Sequence, residues 1–374
     1  MGNWLETNPV IDTGDELESF KKPMHVATIK SDVEALGVLK NYGTDVNEVE
    51  NGQTPLHLAI IKGKTHAARE LITLGADLDK LNEDGYAALH LAAVYDRSSL
   101  IDYLIDGDTE SNANILDRNG NTALHIAVLM DNVNAVCKLL DGGADTDILN
   151  AEGNAPLHIA AQRDNVDVIC ELLGAGADID MLNAERNAPL HLAVLRDNVD
   201  VIYELLDGGA NTDLLNAEGN APLHIAVQRD NVELVSELAT GSDADILNTE
   251  GNAPLHIAVL RDNVVLVRKL LEGGADPNFL NAEGNAAIHI AVREGNIDMA
   301  CELVGGDADI DLLDAEGNSP LHIAVLKDNV EIVRELLSEG AATDLLNSQG
   351  NSPLRMAIIQ GNLGMINEIF EYAE

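Results

Sequence analysis

A histidine recurs about every 33 residues along most of this 374-residue chain. Ten of the eleven histidines occupy this one position, with gaps of 32 to 35 residues, and Arg355 follows in the same frame. The surrounding letters recur too, as TPLHLA at 54–59, APLHIA at 155–160 and SPLHIA at 319–324. Self-similarity at a fixed period of about 20 to 50 residues indicates a repeat architecture, in which each unit buries its apolar face against its neighbours.

One period predicts a helix, a turn, a second helix and a turn-rich segment, here called the finger. Pro156 starts the first helix, where its missing N–H costs nothing. The pair Asp164-Asn165 breaks that helix, because both residue types tolerate left-handed backbone. Apolar residues over 166–173 recur at helical spacing, and Gly176 follows the second helix. First helices are predicted to start near Pro23, Pro55, Ala88, Ala123, Pro156, Pro189, Pro222, Pro254, Ala287, Pro320 and Pro353.

The motif [TAS]-P-L-H-x-A, followed by a Gly-Ala-Asp finger at a 33-residue period, resembles the ankyrin repeat. The resemblance implies an all-α repeat solenoid with short β-hairpin fingers, stacked into a curved superhelix. It covers residues 21–374 as a single array of about eleven repeats, and the last repeat, from about 349, is expected to act as a C-terminal cap. Residues 1–20 are expected to form an N-terminal cap or extension. A two-residue insertion falls between Gly107 and Asn112.

Charge and composition exclude several classes of partner. The chain has 64 Asp and Glu against 22 Lys and Arg, a net charge of −42, which opposes direct binding to nucleic acid or anionic lipid. No apolar run approaches the roughly 18 residues of a membrane span, and no signal peptide is recognised. Three cysteines, an odd number, favour a reducing compartment. We therefore expect a cytoplasmic protein, or one delivered into a host cell.

The repeated histidines and cysteines are expected to be structural. Neighbouring copies should lie roughly 10 Å apart, too far to share one zinc ion or to form a disulfide. Each imidazole is expected to be neutral and bonded to nearby backbone. The sequence contains no nucleophile motif, P-loop or dinucleotide fingerprint. We therefore expect no enzyme activity, no cofactor and no metal.

The asparagine before each motif leaves two interpretations open. Asn154, Asn187, Asn220, Asn252, Asn285, Asn318 and Asn351 occupy this position. Such a residue could cap the first helix, because its side-chain oxygen can accept from backbone N–H groups. It could equally form a hydrogen-bonded row between neighbouring fingers.

The resemblance assigns partner contact to the exposed end of the first helix, called the groove, and to the finger tips. The predicted groove residues are Leu129, Arg163, Leu195, Arg196, Arg229, Leu260, Arg261, Leu326 and Lys327. The predicted tip residues are Glu152, Glu185, Glu218, Glu250, Glu283 and Glu316. In this interpretation the leucines provide apolar contact and the arginines bind partner carboxylates in bidentate fashion.

The main functional hypothesis is a non-catalytic protein–protein interaction module or scaffold that uses the groove and finger tips. Its partner would be a protein, periodic or basic, and the array itself is expected to be monomeric. The family also includes effectors that act in host cells, which is one role the resemblance implies. The alternative is an acidic inhibitor or nucleic-acid mimic that occupies a basic site on its partner. A third class is a substrate for asparaginyl hydroxylation, at Asn47 and Asn278.

Overall fold

The computed structural model describes residues 20–105 and 113–372. Within these ranges the regular structure consists of 22 helices, with no strand and one isolated antiparallel bridge between Glu50 and Gln53. The predicted hairpin fingers are therefore formed by tight turns. The N-terminal extension, except for Phe20, and the insertion between 107 and 112 lie outside the described residues.

Each repeat contributes two short helices separated by a tight turn. The first helices span Pro23–Lys30, Pro55–Ile61, Ala88–Val94, Ala123–Leu129, Pro156–Ala161, Pro189–Arg196, Pro222–Gln228, Pro254–Leu260, Ala287–Glu294, Pro320–Leu326 and Pro353–Gln360. The second helices span Val33–Asn41, Thr65–Thr73, Ser98–Leu104, Val133–Asp141, Val166–Gly174, Val199–Asp207, Val232–Ala239, Val264–Glu272, Ile297–Gly305, Val330–Ser338 and Leu363–Glu371. Every first helix begins at the predicted residue.

The chain divides into two compact units, Met1–Ala184 and Glu185–Glu374. In the first unit, the helix Pro55–Ile61 packs against the first helices of the repeats before and after it. In the second unit, first helices likewise pack on first helices and second helices on second helices. The predicted domain boundaries, at 1–20 and 21–374, stay a prediction.

The core is aliphatic, as the low aromatic content requires. In the repeat that starts at Pro222, Leu223 and Ile225 of the first helix are buried against Val235 and Leu238 of the second helix and against the neighbouring repeats. Ala226 is fully buried, and its small side chain permits close approach of the helices. Burial of each large aliphatic side chain contributes about 1.5–3 kcal/mol. Because both helices are only two turns long, this stability comes from packing between repeats.

In six of the eleven repeats the turn between the two helices is built by an Asp-Asn pair, as predicted for Asp164-Asn165. Asp197, Asp230 and Asp262 adopt left-handed backbone with φ of 55–56°. The asparagine that follows caps the second helix: Asn231 Oδ1 accepts from the N–H of Leu234 at 3.0 Å. The aspartate side chains are thereby placed at the open end of the turn, beside the next repeat.

The last repeat exposes apolar side chains at positions whose equivalents in the preceding repeat are buried. Ile358 is 55% exposed and Phe370 is 59% exposed, whereas Val325 and Leu337, one repeat earlier, are 0% and 4% exposed. In an internal repeat, the repeat that follows covers these positions. The capping role of the segment from about 349 stays a prediction.

Candidate functional site

The motif histidines join the start of each first helix to the following finger. In His224, Nδ1 accepts from the N–H of Ala221 at 3.1 Å and Nε2 donates to the carbonyl of Asn252 at 3.1 Å. His125 makes the same pair of bonds, to Thr122 and Asn154. One ring nitrogen must accept and the other must donate, which requires a neutral imidazole.

Burial reinforces this neutral state. It lowers the pKa of His57, His125 and His224 to about 4, because desolvation penalises the imidazolium form. The predicted structural role of the histidines is confirmed. Within the described residues, no group of three or more His, Cys, Asp or Glu side chains could hold a metal ion.

The asparagines before the motif form the predicted hydrogen-bonded row and do not cap the first helix. In the first unit, Asn183 Nδ2 donates to Asn154 Oδ1 at 2.9 Å. In the second unit, Asn216, Asn248, Asn281 and Asn347 donate to the motif asparagine of the preceding finger at 3.0–3.2 Å. Where Ala precedes the helix, the histidine Nδ1 accepts the backbone N–H of that alanine, so the first-helix cap does not depend on asparagine.

The groove arginines are paired with aspartates of their own chain. In the first unit, Arg163 donates from Nε to Asp131 Oδ1 at 2.9 Å and from Nη2 to Oδ2 at 2.5 Å. In the second unit, Arg229 pairs in the same way with Asp197, and Arg261 with Asp230. Each aspartate lies in the turn of the preceding repeat. These bidentate contacts lower the pKa of the aspartates.

A second donor joins each pair and makes a regular ladder. Asn231 Nδ2 donates to Asp197 Oδ1 at 3.1 Å, and Asn263 Nδ2 donates to Asp230 Oδ1 at 3.3 Å. The sequence predicts bidentate contact of these arginines with carboxylates of a partner, whereas the structure places aspartates of the chain itself in that contact. The sequence carries the signal, since an Asp precedes the turn Asn in six repeats at the repeat period, as Asp131, Asp164, Asp197, Asp230, Asp262 and Asp328. Whether the guanidinium groups also contact a partner stays a prediction.

Between these pairs, the groove presents apolar side chains. In the second unit, Leu195, Leu260 and Leu326 are 39%, 54% and 52% exposed at the ends of their first helices. In the first unit, Leu129 is only half-buried. Arg196 ends the helix that carries Leu195, and Lys327 follows Leu326; both side chains are exposed.

The predicted finger-tip glutamates are all exposed. Glu152 lies in the first unit, and Glu185, Glu218, Glu250, Glu283 and Glu316 lie in the second. The turn beneath a tip is fixed by a bond from the backbone to a side chain: Glu250 N–H donates to Asn248 Oδ1 at 3.0 Å. The next finger packs closely against the turn, since Ala282 N–H donates to the carbonyl of Gly251 at 2.8 Å. The tips therefore present carboxylates from a rigid base.

The cysteines are free thiols, and one of them lines a small cavity. Cys301, Ala300, Val304, Ile332 and Glu335 are among the residues around a volume of about 160 Å³ between second helices. Cys301 Sγ donates to Glu335 Oε1 at 3.3 Å, and burial together with this carboxylate raises the pKa of the thiol to about 11. A thiol with such a pKa is a poor nucleophile at neutral pH. None of the described helices exceeds nine residues, so none has the length and apolarity to cross a bilayer.

Comparisons with known proteins agree with the repeat pattern. A family model described as ankyrin repeats (3 copies) matches residues 24–114, 62–150, 100–183, 157–241, 223–314 and 288–374. Among solved structures, the chain is similar to the crystal structure of the ankyrin repeat domain of Bcl-3, described as a unique member of the IkappaB protein family. The two are 27% identical with a TM-score of 0.46, over 67% of this chain and 98% of that chain. No curated protein matches the chain.

Proposed function

This chain belongs to the ankyrin-repeat family, and we propose that it is a non-catalytic protein-binding module whose contact surface is the groove of the second unit. Ankyrin repeats are protein–protein interaction modules. The observation that carries the proposal is the row of exposed leucines, Leu195, Leu260 and Leu326, set among arginine–aspartate pairs. Apolar anchors on a rigid, polar-rimmed surface are typical of protein interfaces.

The internal pairing of the arginines shapes this surface. A guanidinium held by two carboxylate oxygens has few rotamers left to lose when a partner docks. Its charge is also offset locally, so the groove is less acidic near these pairs than the chain as a whole. Neutralised pairs beside exposed leucines favour a partner segment that brings apolar side chains.

The test compares two double variants of equal chemistry. Leu260→Ser with Leu326→Ser removes two groove leucines, and Leu280→Ser with Leu313→Ser removes two finger leucines that are 42% and 40% exposed. Tagged protein captures partners from lysate, and mass spectrometry quantifies them at about 0.15 M and about 0.5 M salt. We expect a partner that the parent chain captures to be lost with the groove variant and kept with the finger variant. Equal capture by both variants would sink the proposal. A captured host-cell protein would assign the host-directed role.

The exposed finger-tip glutamates support a second candidate, an acidic inhibitor or nucleic-acid mimic. Five such carboxylates recur at the repeat spacing in the second unit, on a chain with a net charge of −42. A regular row of carboxylates can occupy a basic site that normally binds phosphates. In this case the captured partner is basic, is lost at about 0.5 M salt and is displaced by excess duplex DNA. Failure of DNA to compete would exclude mimicry.

A further inference from the structure

The arginine–aspartate ladder of the second unit is interrupted at two repeats: the terminal repeat has Gln360 and Gly361 at these positions, and the other is the internal repeat that starts at Ala287. Where Arg229 and Arg261 stand in regular repeats, the repeat that starts at Ala287 has Glu294. Where Asp230 and Asp262 stand, the same repeat has Gly295, which keeps the left-handed backbone with φ of 78°. The turn geometry is therefore preserved while both charges change.

The interruption leaves three charges without their regular partners. Asp262 accepts from Asn296, but Glu294 occupies the repeat position of its regular arginine partner. The side chain of Glu294 is exposed and makes no hydrogen bond or ion pair with the rest of the described chain. One repeat later, Lys327 is exposed, and Gly295 occupies the repeat position of its regular aspartate partner; among the described residues no carboxylate pairs with Lys327. We call Asp262, Glu294, Gly295 and Lys327 the interrupted step.

The apolar and asparagine rows change in the same repeat. Arg293 stands where Leu260 and Leu326 stand, and Asp314 stands where the row has an asparagine. Asp314 cannot donate to Asn285 Oδ1, and Arg293 Nη2 donates to that oxygen instead, at 2.8 Å. The same Nη2 lies 3.9 Å from Oδ2 of Asp314, whose side chain is 1% exposed. Two of the regular rows are thus re-formed around new residues, whereas the interrupted step keeps charges without their regular partners.

We propose that the interrupted step is the docking point of a partner segment that carries one basic and one acidic side chain about 10 Å apart. This inference rests on the proposed groove-binding function and specifies the partner. The basic side chain binds between Asp262 and Glu294, and the acidic side chain binds Lys327. Leu260 and Leu326, 54% and 52% exposed, lie on either side and take apolar residues.

The spacing follows from the repeat geometry. Packed helices of neighbouring repeats lie about 8–10 Å apart, so the two charge positions are separated by about that distance. In a helical segment, residues i and i+7 lie on one face about 10 Å apart, which matches the step. A helix with opposite charges at these positions therefore complements the interrupted step, which offers both an unpaired cation and unpaired carboxylates; the terminal repeat, with Gln360 and Gly361, offers no cation at its ladder position.

The test uses three helical peptides of about 21 residues that share flanking leucines and differ only at positions i and i+7. One carries Arg and Glu, one Arg and Arg, and one Glu and Glu. Fluorescence polarisation measures their binding to the full chain at about 0.15 M salt. The Arg/Glu peptide is expected to bind at least about threefold more tightly than either of the others, since exposed charge pairs contribute modest factors. Simple attraction to a chain of net charge −42 predicts that the Arg/Arg peptide binds best.

A repair variant supplies the matched control. Glu294→Arg with Gly295→Asp restores the regular ladder, and aspartate already adopts this backbone at Asp230, Asp262 and Asp328. The variant is expected to fold at least as well as the parent and to lose the preference for Arg/Glu. If the double variant fails to fold, Glu294→Arg alone tests the same point. A preference for Arg/Arg, a preference that survives repair, or no measurable binding of any peptide overturns the inference.

These outcomes are separable from failure of the proposed function. If the repair variant keeps the natural partner while the Leu260→Ser, Leu326→Ser variant loses it, groove binding stands and the interrupted step is not its docking point. If the leucine variant also keeps the partner, the groove proposal itself fails.

Discussion

Asn281 Nδ2 donates a 3.0 Å hydrogen bond to Oδ1 of Asn252 in the preceding finger, while Asn281 Oδ1 accepts from two backbone N–H groups of its own finger. One buried amide therefore holds the shape of one finger and ties it to another. The same arrangement recurs at Asn216 and Asn248. This row of asparagines is consequently a structural element of the array, and its contribution to the free energy of unfolding can be measured.

Asn281→Ala is expected to lower the free energy of unfolding by about 1–3 kcal/mol. The substitution leaves buried backbone N–H groups and Asn252 Oδ1 without partners, and unsatisfied buried polar groups carry costs of this size. Urea denaturation followed by circular dichroism measures the change. Gln349→Ala, at an exposed finger tip, serves as the control and should change stability by less than about 0.5 kcal/mol. Equal effects of the two substitutions would contradict the structural role of the row.

Arg293 and Asp314 are expected to behave as a coupled pair. Arg293→Leu removes the donor to Asn285 Oδ1 and the cation nearest Asp314, so it should destabilise the chain by about 1–2 kcal/mol. Adding Asp314→Asn restores the residue pattern of the regular repeats and should recover most of the loss. A double-mutant cycle of thermal or urea unfolding measures the coupling energy. Additive effects would show that the two changes arose independently of each other.

Gly251→Ala is expected to destabilise the fingers of the second unit. A Cβ at this position would lie 2.1 Å from the Cβ of Ala282, and the backbone has a φ of 76°. Left-handed strain and the clash together should cost about 1–3 kcal/mol. Gly241→Ala is the matched control, because a Cβ there meets nothing within 4 Å. A lowered melting temperature in the first variant alone is the expected outcome.

The array is expected to lose stability as the pH falls from about 6.5 towards 4. The pKa of His57, His125 and His224 is about 4 in the fold, against about 6.5 in an unfolded chain, so in this window these histidines take up protons mainly when the chain is unfolded. Each such histidine lowers the unfolding free energy by up to about 1.4 kcal/mol per pH unit there. The paired aspartates have lowered pKa values and keep their ion pairs through the same range.

Scanning calorimetry at pH 7.5, 6.0 and 5.0, in two buffers of different ionisation enthalpy, checks both the stability and the proton count. The melting temperature should fall with pH, and unfolding near pH 5.5 should absorb protons. A melting temperature that rises between pH 7.5 and 5.0 would mean that relief of carboxylate repulsion outweighs histidine protonation.

Local sequence signals predicted the helices because each boundary depends on residues close to it. Proline or alanine before Leu-His fixed where first helices begin, and the Asp-Asn pair fixed the turn. The sequence alone left the motif asparagines with two roles, since capping and row formation use the same oxygen. Only the placement of Asn281 beside Asn252, 29 residues away, decides between them.

The groove was harder to predict for the same reason. Arg229 and Asp197 are 32 residues apart, and nothing local shows that the turn of one repeat points at the helix end of the next. The arginines were therefore assigned to a partner. The interrupted step was equally hidden, because Glu294 and Gly295 are ordinary residues until their counterparts are known to pair.

The matched donors and acceptors at the two sides of a repeat bear on how such a chain can change length. A repeat of the second unit accepts through its aspartate and motif asparagine on one side and donates through its arginine and row asparagine on the other. Recombination that removes or copies one whole repeat brings the same donor to the same acceptor and leaves no orphaned polar group. Copy number can therefore drift by unequal crossing-over in the gene without a folding penalty at the junction, except where the repeat lost or gained carries Glu294 and Gly295, or Gln360 and Gly361, at the ladder positions.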